Sequence, residues 1–187
     1  MRQIKRMPAR AVLLFEDETI LRLLPELRRA WSLRGRQARV PITGENAKSV
    51  LFGALNPRTG HRLVACGPGL RHEYFQEFLR RLRRSYPGRP LWLLLDKASC
   101  HTTPTSQALA ASLGMVLLWL PKQCSELNGM DQLWRELKAD ISANHQFKDI
   151  QEHACCAQTW IFSLSKTETL RKAGMLSENF WLRALLQ

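Results

Sequence analysis

Residues 91–101 read LWLLLDKASCH and residues 115–138 read MVLLWLPKQCSELNGMDQLWRELK, and these two stretches decide the fold class. Each opens on a continuous apolar run, LWLLL at 91–95 and MVLLWL at 115–120. Short runs without alternation suit strands buried on both faces, as parallel strands of α/β proteins are. The first run ends in Asp96 and the second is stopped by Pro121. Between them a helix is expected from about Thr103 to Ser112, with Pro104 tolerated in its first turn, so the stretch forms a βαβ unit. After Pro121 a loop gives way to Met130, Leu133, Trp134, Leu137 and Ile141, which form one apolar stripe at about 100° per residue. Asp131 lies at the edge of that stripe, in the first turn, on the flank of Arg135 and Lys138. Glu136 and Asp140 point away and are expected in solvent. Glu126, just before the same helix, competes with Asp131 for any inward role.

Upstream, residues 11–15 (AVLLF) make another apolar run that ends in Glu16, Asp17 and Glu18, where the strand is expected to close. Pro25, Trp31, Arg34, Gly35 and Arg36 belong to a basic segment read as a loop or an edge strand. SVLFGAL (49–55) and HRLVACG (61–67) flank NPRTG, whose Asn, Pro and Gly supply turn chemistry, so a β-hairpin is expected. From Glu73 to Tyr86 the period changes: Phe75, Phe78, Leu79, Leu82 and Tyr86 recur at helical spacing. Arg80, Arg81, Arg83 and Arg84 fall on the other faces of that helix, either as a solvated surface or as contacts to phosphate. Residues 144–187 read as an amphipathic helical extension. The whole is an α/β chain of one domain, residues 1–187, with a mixed sheet that starts antiparallel, adds parallel βαβ strands and is flanked by helices.

The 187 residues carry 28 Lys and Arg against 16 Asp and Glu, a net charge of +12. Such an excess favours a polyanionic partner, nucleic acid first, because it is clustered: ten of the cations lie in residues 1–39. The five cysteines show no Cys-x-x-Cys spacing and read as reduced, mostly buried thiols of a cytoplasmic protein. The apolar run behind the basic MRQIKRMPAR is five residues long, too short for a signal-peptide core or a membrane span, so no membrane role is expected. Gly-x-x-x-x-Gly-Lys, His-Glu-x-x-His and Gly-x-Ser-x-Gly are all missing from the sequence.

Two buried strands that end in carboxylates suggest a shared crevice at the carboxyl ends of the sheet. The competing reading, that each aspartate caps the next helix, holds better for Asp96 alone than for the pair. Asp17, Asp96 and Asp131 together offer hard oxygen ligands for Mg²⁺ or Mn²⁺. Two such ions about 4 Å apart can drive an in-line phosphodiester displacement without a nucleophilic side chain. His101 is read as structural.

FEDE at 15–18, LLLDKASCH at 93–101 and SELNGMDQLWRELK at 125–138 resemble the DDE transposases of the insertion-sequence and mariner type, which have an RNase H-like fold. The resemblance runs from about Leu13 to Lys138 and includes the 34 residues between Asp96 and Asp131. It implies that Asp17, Asp96 and Asp131 are the catalytic metal ligands. It also implies metal-dependent cleavage at transposon ends and strand transfer into target DNA, with Arg34, Arg36, Lys97, Arg135 and Lys138 joining the four arginines at 80–84 as candidate DNA contacts. Asp131 stands where insertion-sequence members usually have Glu, Lys97 where the family has Asn, and Gly129-Met130 where it has Pro-Ile. The family's helix-turn-helix domains precede its catalytic domain, so end recognition is expected from a further N-terminal part or a separate helix-turn-helix polypeptide. A second copy of the chain is a further candidate partner. The alternatives are a repurposed, non-catalytic DNA-binding relative and a general RNase H-like nuclease.

Overall fold

The structure, a computed structural model, describes residues 3–186. Its centre is a five-stranded sheet in the order β3-β2-β1-β4-β5. The strands are β1 (Val12–Arg22), β2 (Lys48–Leu55), β3 (Arg62–Gly67), β4 (Leu91–Leu95) and β5 (Met115–Trp119). β1, β2 and β3 pair antiparallel, whereas β4 and β5 add parallel to β1. This is the mixed sheet that the apolar runs and the NPRTG turn imply.

Helix α1 (His72–Ser85) follows the hairpin; a short turn α2 (Ser99–Thr102) and α3 (Pro104–Ser112) connect β4 to β5. Thr103 caps α3 by accepting from the Ser106 amide at 3.2 Å, as a hydroxyl ahead of a first-turn proline is suited to do. Next come α4 (Gly129–Leu137), a π-turn at Lys138–Ser142, α5 (Ile150–Ser163), α6 (Lys166–Lys172) and α7 (Arg183–Leu186). Asp149 caps α5, and Ser165 with Glu168 forms a capping box on α6.

The alternation of side chains along each strand divides the core in two. Val12 and Leu14 of β1, with Leu91, Leu93 and Leu95 of β4, pack against Phe75, Phe78, Leu79 and Leu82 of α1. Leu13 and Phe15, with Leu94, pack on the opposite face against Met130, Leu133, Trp134 and Leu137 of α4, together with Ala157 and Ile161 of α5. The helices after residue 144 thus cover one face of the sheet.

Several expectations are corrected. β1 does not close at the three acids but carries them inside it and runs on to Arg22, because β2 pairs with it along the whole length from Phe15↔Leu55 to Arg22↔Lys48. The segment between β1 and β2 is a loop rather than an edge strand, tied at its base by a bridge between Glu26 and Ala143. Glu136 and Asp140 do point outward and stay partly exposed, and there Lys172 pairs with both, at 3.2 and 3.1 Å. Of the five thiols only Cys100 is buried; Cys66, Cys155 and Cys156 are exposed and Cys124 is intermediate. No helix among the described residues is long and apolar enough to cross a membrane.

Two glycines set how closely α4 packs, Gly53 against the sheet and Gly129 against the segment after α6. A β-carbon on Gly53 would stand 2.5 Å from Trp134 Cζ2 and 2.6 Å from Met130 Cε, and one on Gly129 would stand 2.2 Å from Met175 Cε. Gly53 is also the cross-strand partner of Asp17. Overpacking a filled core of this kind costs about 1–3 kcal/mol. Gly53→Ala should therefore destabilise the fold by that margin and lower the thermal midpoint measured by calorimetry, whereas Gly69→Ala, where nothing lies within 4 Å of the added atom, should not.

Candidate active site

β1 and β4 pair in parallel with Phe15 opposite Leu94, both on the α4 face. Two residues further along each strand, the same register places Asp17 beside Asp96 on that face. The two carboxylates line one cavity of about 400 Å³ with Lys97, Lys122, Cys124 and Asn128. Asp17 is largely enclosed, and Asp96 has 57% of its side chain exposed.

Asn128 fastens the third side of the site. It is the N-cap of α4, accepting from the Met130 amide at 3.0 Å, while its side-chain amide donates to the Glu16 carbonyl at 2.8 Å. One buried side chain therefore both starts the helix and ties its first turn to β1 beside Asp17. Asp131 sits in that first turn. It is not part of the cavity lining, and Arg135 Nη2 donates to its Oδ2 at 2.5 Å. Its charge nevertheless reaches the site: burial, then Glu18, Asp131 and Asp96, push the Asp17 carboxyl up to about 8. Glu126, the competing acid, is exposed on a short turn and does not line the cavity.

Asp96 is held differently. Its Oδ1 accepts from the Ala98 amide at 2.8 Å and meets His101 Nδ1 at 3.1 Å. The hydrogen bond from His101 and that from the backbone amide keep this carboxyl below the usual range against the opposing effect of burial. His101 is fully buried and reaches across to the other face of β1, where its Nε2 lies 2.6 Å from Glu18 Oε1 and 3.5 Å from Glu16 Oε2. Burial alone would lower the imidazole, but the Glu16 charge and hydrogen bonds with Asp96, Cys100 and Glu18 raise it far above its ordinary range. The histidine, read as structural from its sequence position, is in direct contact with a candidate metal ligand.

Two carboxylates that line a cavity with two lysines, and a third nearby whose charge acts on one of them, suit a hard divalent cation. The three aspartates are spread more widely than one ion's ligand shell; among the described residues only Glu18, Cys100 and His101 bring three such ligand atoms within 4.8 Å of one another.

The basic candidates fall into separate places. Lys97 lines the cavity. Arg135 is bound to Asp131, and Lys138 pairs with Glu26 at 3.2 Å. Arg34 and Arg36 are exposed on the loop between β1 and β2. Arg80, Arg81 and Arg84 surround Glu77 on α1, on the far side of the sheet from the cavity. Arg83 is turned inward, donating to the carbonyls of Leu113, Tyr86 and Arg89. Lys122 and Asn128 are site residues that motif reading passed over. Asn128 had a signal, as a capping residue directly before a helical stripe.

A family model described as DDE superfamily endonuclease matches residues 12–153. An uncharacterised 39 kDa protein of insertion element IS630 from Shigella sonnei is 31% identical over 134 residues, 71% of this chain and 39% of that protein. The uncharacterised protein y4pE/y4sA of Sinorhizobium fredii is 32% identical over 111 residues, 57% of this chain and 80% of that protein. Among solved structures, the Mos1 transposase paired-end complex with the left transposon end matches with a TM-score of 0.70 and 17% identity, over 96% of this chain and 56% of that one. The mariner Mos1 paired-end complex with Mg matches equally at 0.70 and 16%, over 98% and 58%. The isolated catalytic domain of Mos1 mariner transposase matches at 0.64 and 15%, over 96% and 83%. The chain thus spans about two-fifths of the IS630 protein and a little over half of the full Mos1 chain. With the sheet order, the paired aspartates and the match over residues 12–153 in agreement, this chain belongs to the DDE superfamily endonucleases and has their RNase H-like fold.

Proposed function

We propose that this chain is the catalytic domain of a transposase that cuts DNA phosphodiester bonds and transfers the cut strand. The observation that carries this reading is that Asp17 of β1 and Asp96, just past the end of the parallel β4, line one cavity, with the charge of Asp131 acting on Asp17. Asp17, Asp96 and Asp131 would hold Mg²⁺ or Mn²⁺, and two such ions supply activation of a water or 3′-hydroxyl and stabilisation of the leaving oxygen. Related Mos1 paired-end complexes are described with Mn and with Mg. Lys97 and Lys122 line the same cavity and are placed to meet phosphate. His101 holds Asp96 in one orientation, and Asn128 holds the first turn of α4 at its distance from β1. In this reading, DNA ends are recognised by helix-turn-helix segments not among these residues, and two ends are brought together by a second copy of the chain.

A second reading, a DNA-binding relative that does not turn over, draws on the Arg135–Asp131 pair and on Lys97 beside Asp96, cations standing where metal would be needed. A cleavage assay on DNA carrying candidate element ends decides between the two. Cleavage that needs Mg²⁺ or Mn²⁺ should be lost in Asp96→Asn. Equal cleavage by parent and variant would overturn the catalytic reading, and salt-sensitive binding without cleavage by either would favour the second.

The raised Asp17 carboxyl has its own signature. Its pKa lies near 8 in the fold, against about 3.9 in an unfolded chain, so the folded state keeps this proton as pH rises. Metal-free stability should therefore fall between about pH 4 and 8. Asp17→Asn should raise the metal-free thermal midpoint at pH 8 and remove the further rise that Mg²⁺ gives the parent. A variant that is less stable than the parent at pH 8 would contradict this. For the DNA contacts, Lys97→Ala should weaken binding by a similar factor on all sequences and reduce the log–log salt slope by about 1, read from anisotropy titrations at several salt concentrations.

A further inference from the structure

On the opposite face of β1 from the cavity, four side chains converge, of which His101 alone bears on the proposed reaction, through its contact with Asp96. Glu18 Oε1, Cys100 Sγ and His101 Nε2 all lie within 4.8 Å of one another, and Glu16 Oε2 is 3.5 Å from the same imidazole nitrogen. Glu16 and His101 are fully buried, Cys100 is 3% exposed and the Glu18 side chain 7%. Phe75 lies against His101 with ring centroids 4.5 Å apart, closing one side with an apolar wall. Among the described residues, neither oxygen of the Glu16 carboxylate has a hydrogen-bond partner, although the group is fully enclosed and aimed at His101. Two carboxylates here face one imidazole, and a single imidazolium can balance only one of them. An unpartnered carboxylate in such a place is the mark of a group that waits for a cation.

We propose that Glu16, Glu18, Cys100 and His101 form a binding site for a borderline-soft divalent cation, Zn²⁺ by its donor set, separate from the Asp17, Asp96 and Asp131 carboxylates. Two oxygens, one nitrogen and one sulfur make a tetrahedral set that suits Zn²⁺ and excludes Mg²⁺, which demands an octahedral oxygen shell. Tetrahedral bonds of about 2.0–2.3 Å place neighbouring donors about 3.3–3.7 Å apart. Cys100 Sγ and Glu18 Oε1 are already 3.6 Å apart, and Glu16 Oε2 and His101 Nε2 3.5 Å. Glu18 and His101, at 2.6 Å, would have to separate by roughly 0.7 Å, and the Glu16 carboxylate, which is not within 4.8 Å of all three other donors, would have to turn toward them. The nitrogen not used for metal is already held: His101 Nδ1 meets the Asp96 carboxylate at 3.1 Å, the carboxylate–histidine arrangement that fixes ring and tautomer in zinc sites. On binding, the protons of His101 Nε2 and the Cys100 thiol leave to solvent, and the metal supplies the positive charge in their place. The ion would act as a pin beneath Asp96, fixing the ring that orients it.

The test uses the metal-stripped full chain without DNA, titrated with Co²⁺ as the spectroscopic probe and with Zn²⁺. One Co²⁺ per chain should bind with a sulfur-to-cobalt charge-transfer band and tetrahedral visible bands, which Zn²⁺ displaces and a millimolar excess of Mg²⁺ does not. The charge-transfer band should vanish in Cys100→Ala and persist in Asp17→Asn and in Asp131→Asn. Glu16→Gln, nearly isosteric, should weaken Co²⁺ binding by at least about tenfold and provides the check if Cys100→Ala does not fold. Zn²⁺ should raise the thermal midpoint of the parent and not of Cys100→Ala. The absence of a charge-transfer band in the parent, its survival in Cys100→Ala through the exposed thiols, its displacement by Mg²⁺, or unchanged affinity in Glu16→Gln would each overturn the proposal. Because the readout is spectroscopic and DNA-free, its failure would leave the transposase reading standing, and a failure to cleave DNA would leave this site standing.

Discussion

Three consecutive carboxylates in the middle of a sheet that is covered on both faces are the constraint from which the rest of this structure follows. Glu16, Asp17 and Glu18 belong to β1, the central strand, and alternation sends Asp17 to one face and the two glutamates to the other. Each face must then answer negative charge in a place where water cannot. On the glutamate face the answer is His101, drawn in from the turn after β4. On the aspartate face the protein supplies no such cation to Asp17; the burial and the neighbouring charges there drive it toward its neutral form. One sequence step therefore separates two carboxylates that share a single imidazole from one that meets only other carboxylates.

The same alternation links the two faces. His101 touches Glu18 with one ring nitrogen and Asp96 with the other, so the polar layer under α1 and the carboxylates under α4 share a single side chain. Asn128 provides the second link, from the head of α4 to the backbone of β1 at Glu16. Neither contact reacts with anything, yet together they set the distances between the elements that carry Asp17, Asp96 and Asp131.

Much of this was legible in the amino-acid pattern. The apolar runs at 91–95 and 115–120, the turn residues of NPRTG and the helical period after Glu73 each have a local physical cause, and each formed the element it suggests. That Asp17 and Asp96 line one cavity was legible too, from acids that follow two apolar runs, although only β4 ends there. The continuation of β1 through Glu16, Asp17 and Glu18 was not, because charge argues against a buried strand and the compensating imidazole lies 83 residues away from Glu18. For the same reason the contact from Asn128 to Glu16, across 112 residues, left only its capping half visible. The thiols at 66, 155 and 156 were misread as buried since cysteine behaves as a small hydrophobe on average, while these ones fall on outward faces.

The position of β1 also has a consequence in time. A strand with a hydrogen-bonded neighbour on either side and a helical layer on either face has no local way to open; its amides are freed only when the sheet itself comes apart. The loop after β1 and the turn after β5 can move without breaking the sheet, but the spacing of Asp17 from its neighbours cannot change piecemeal. The carboxylate geometry therefore lasts as long as the folded state does, a frame that does not relax until the sheet itself opens.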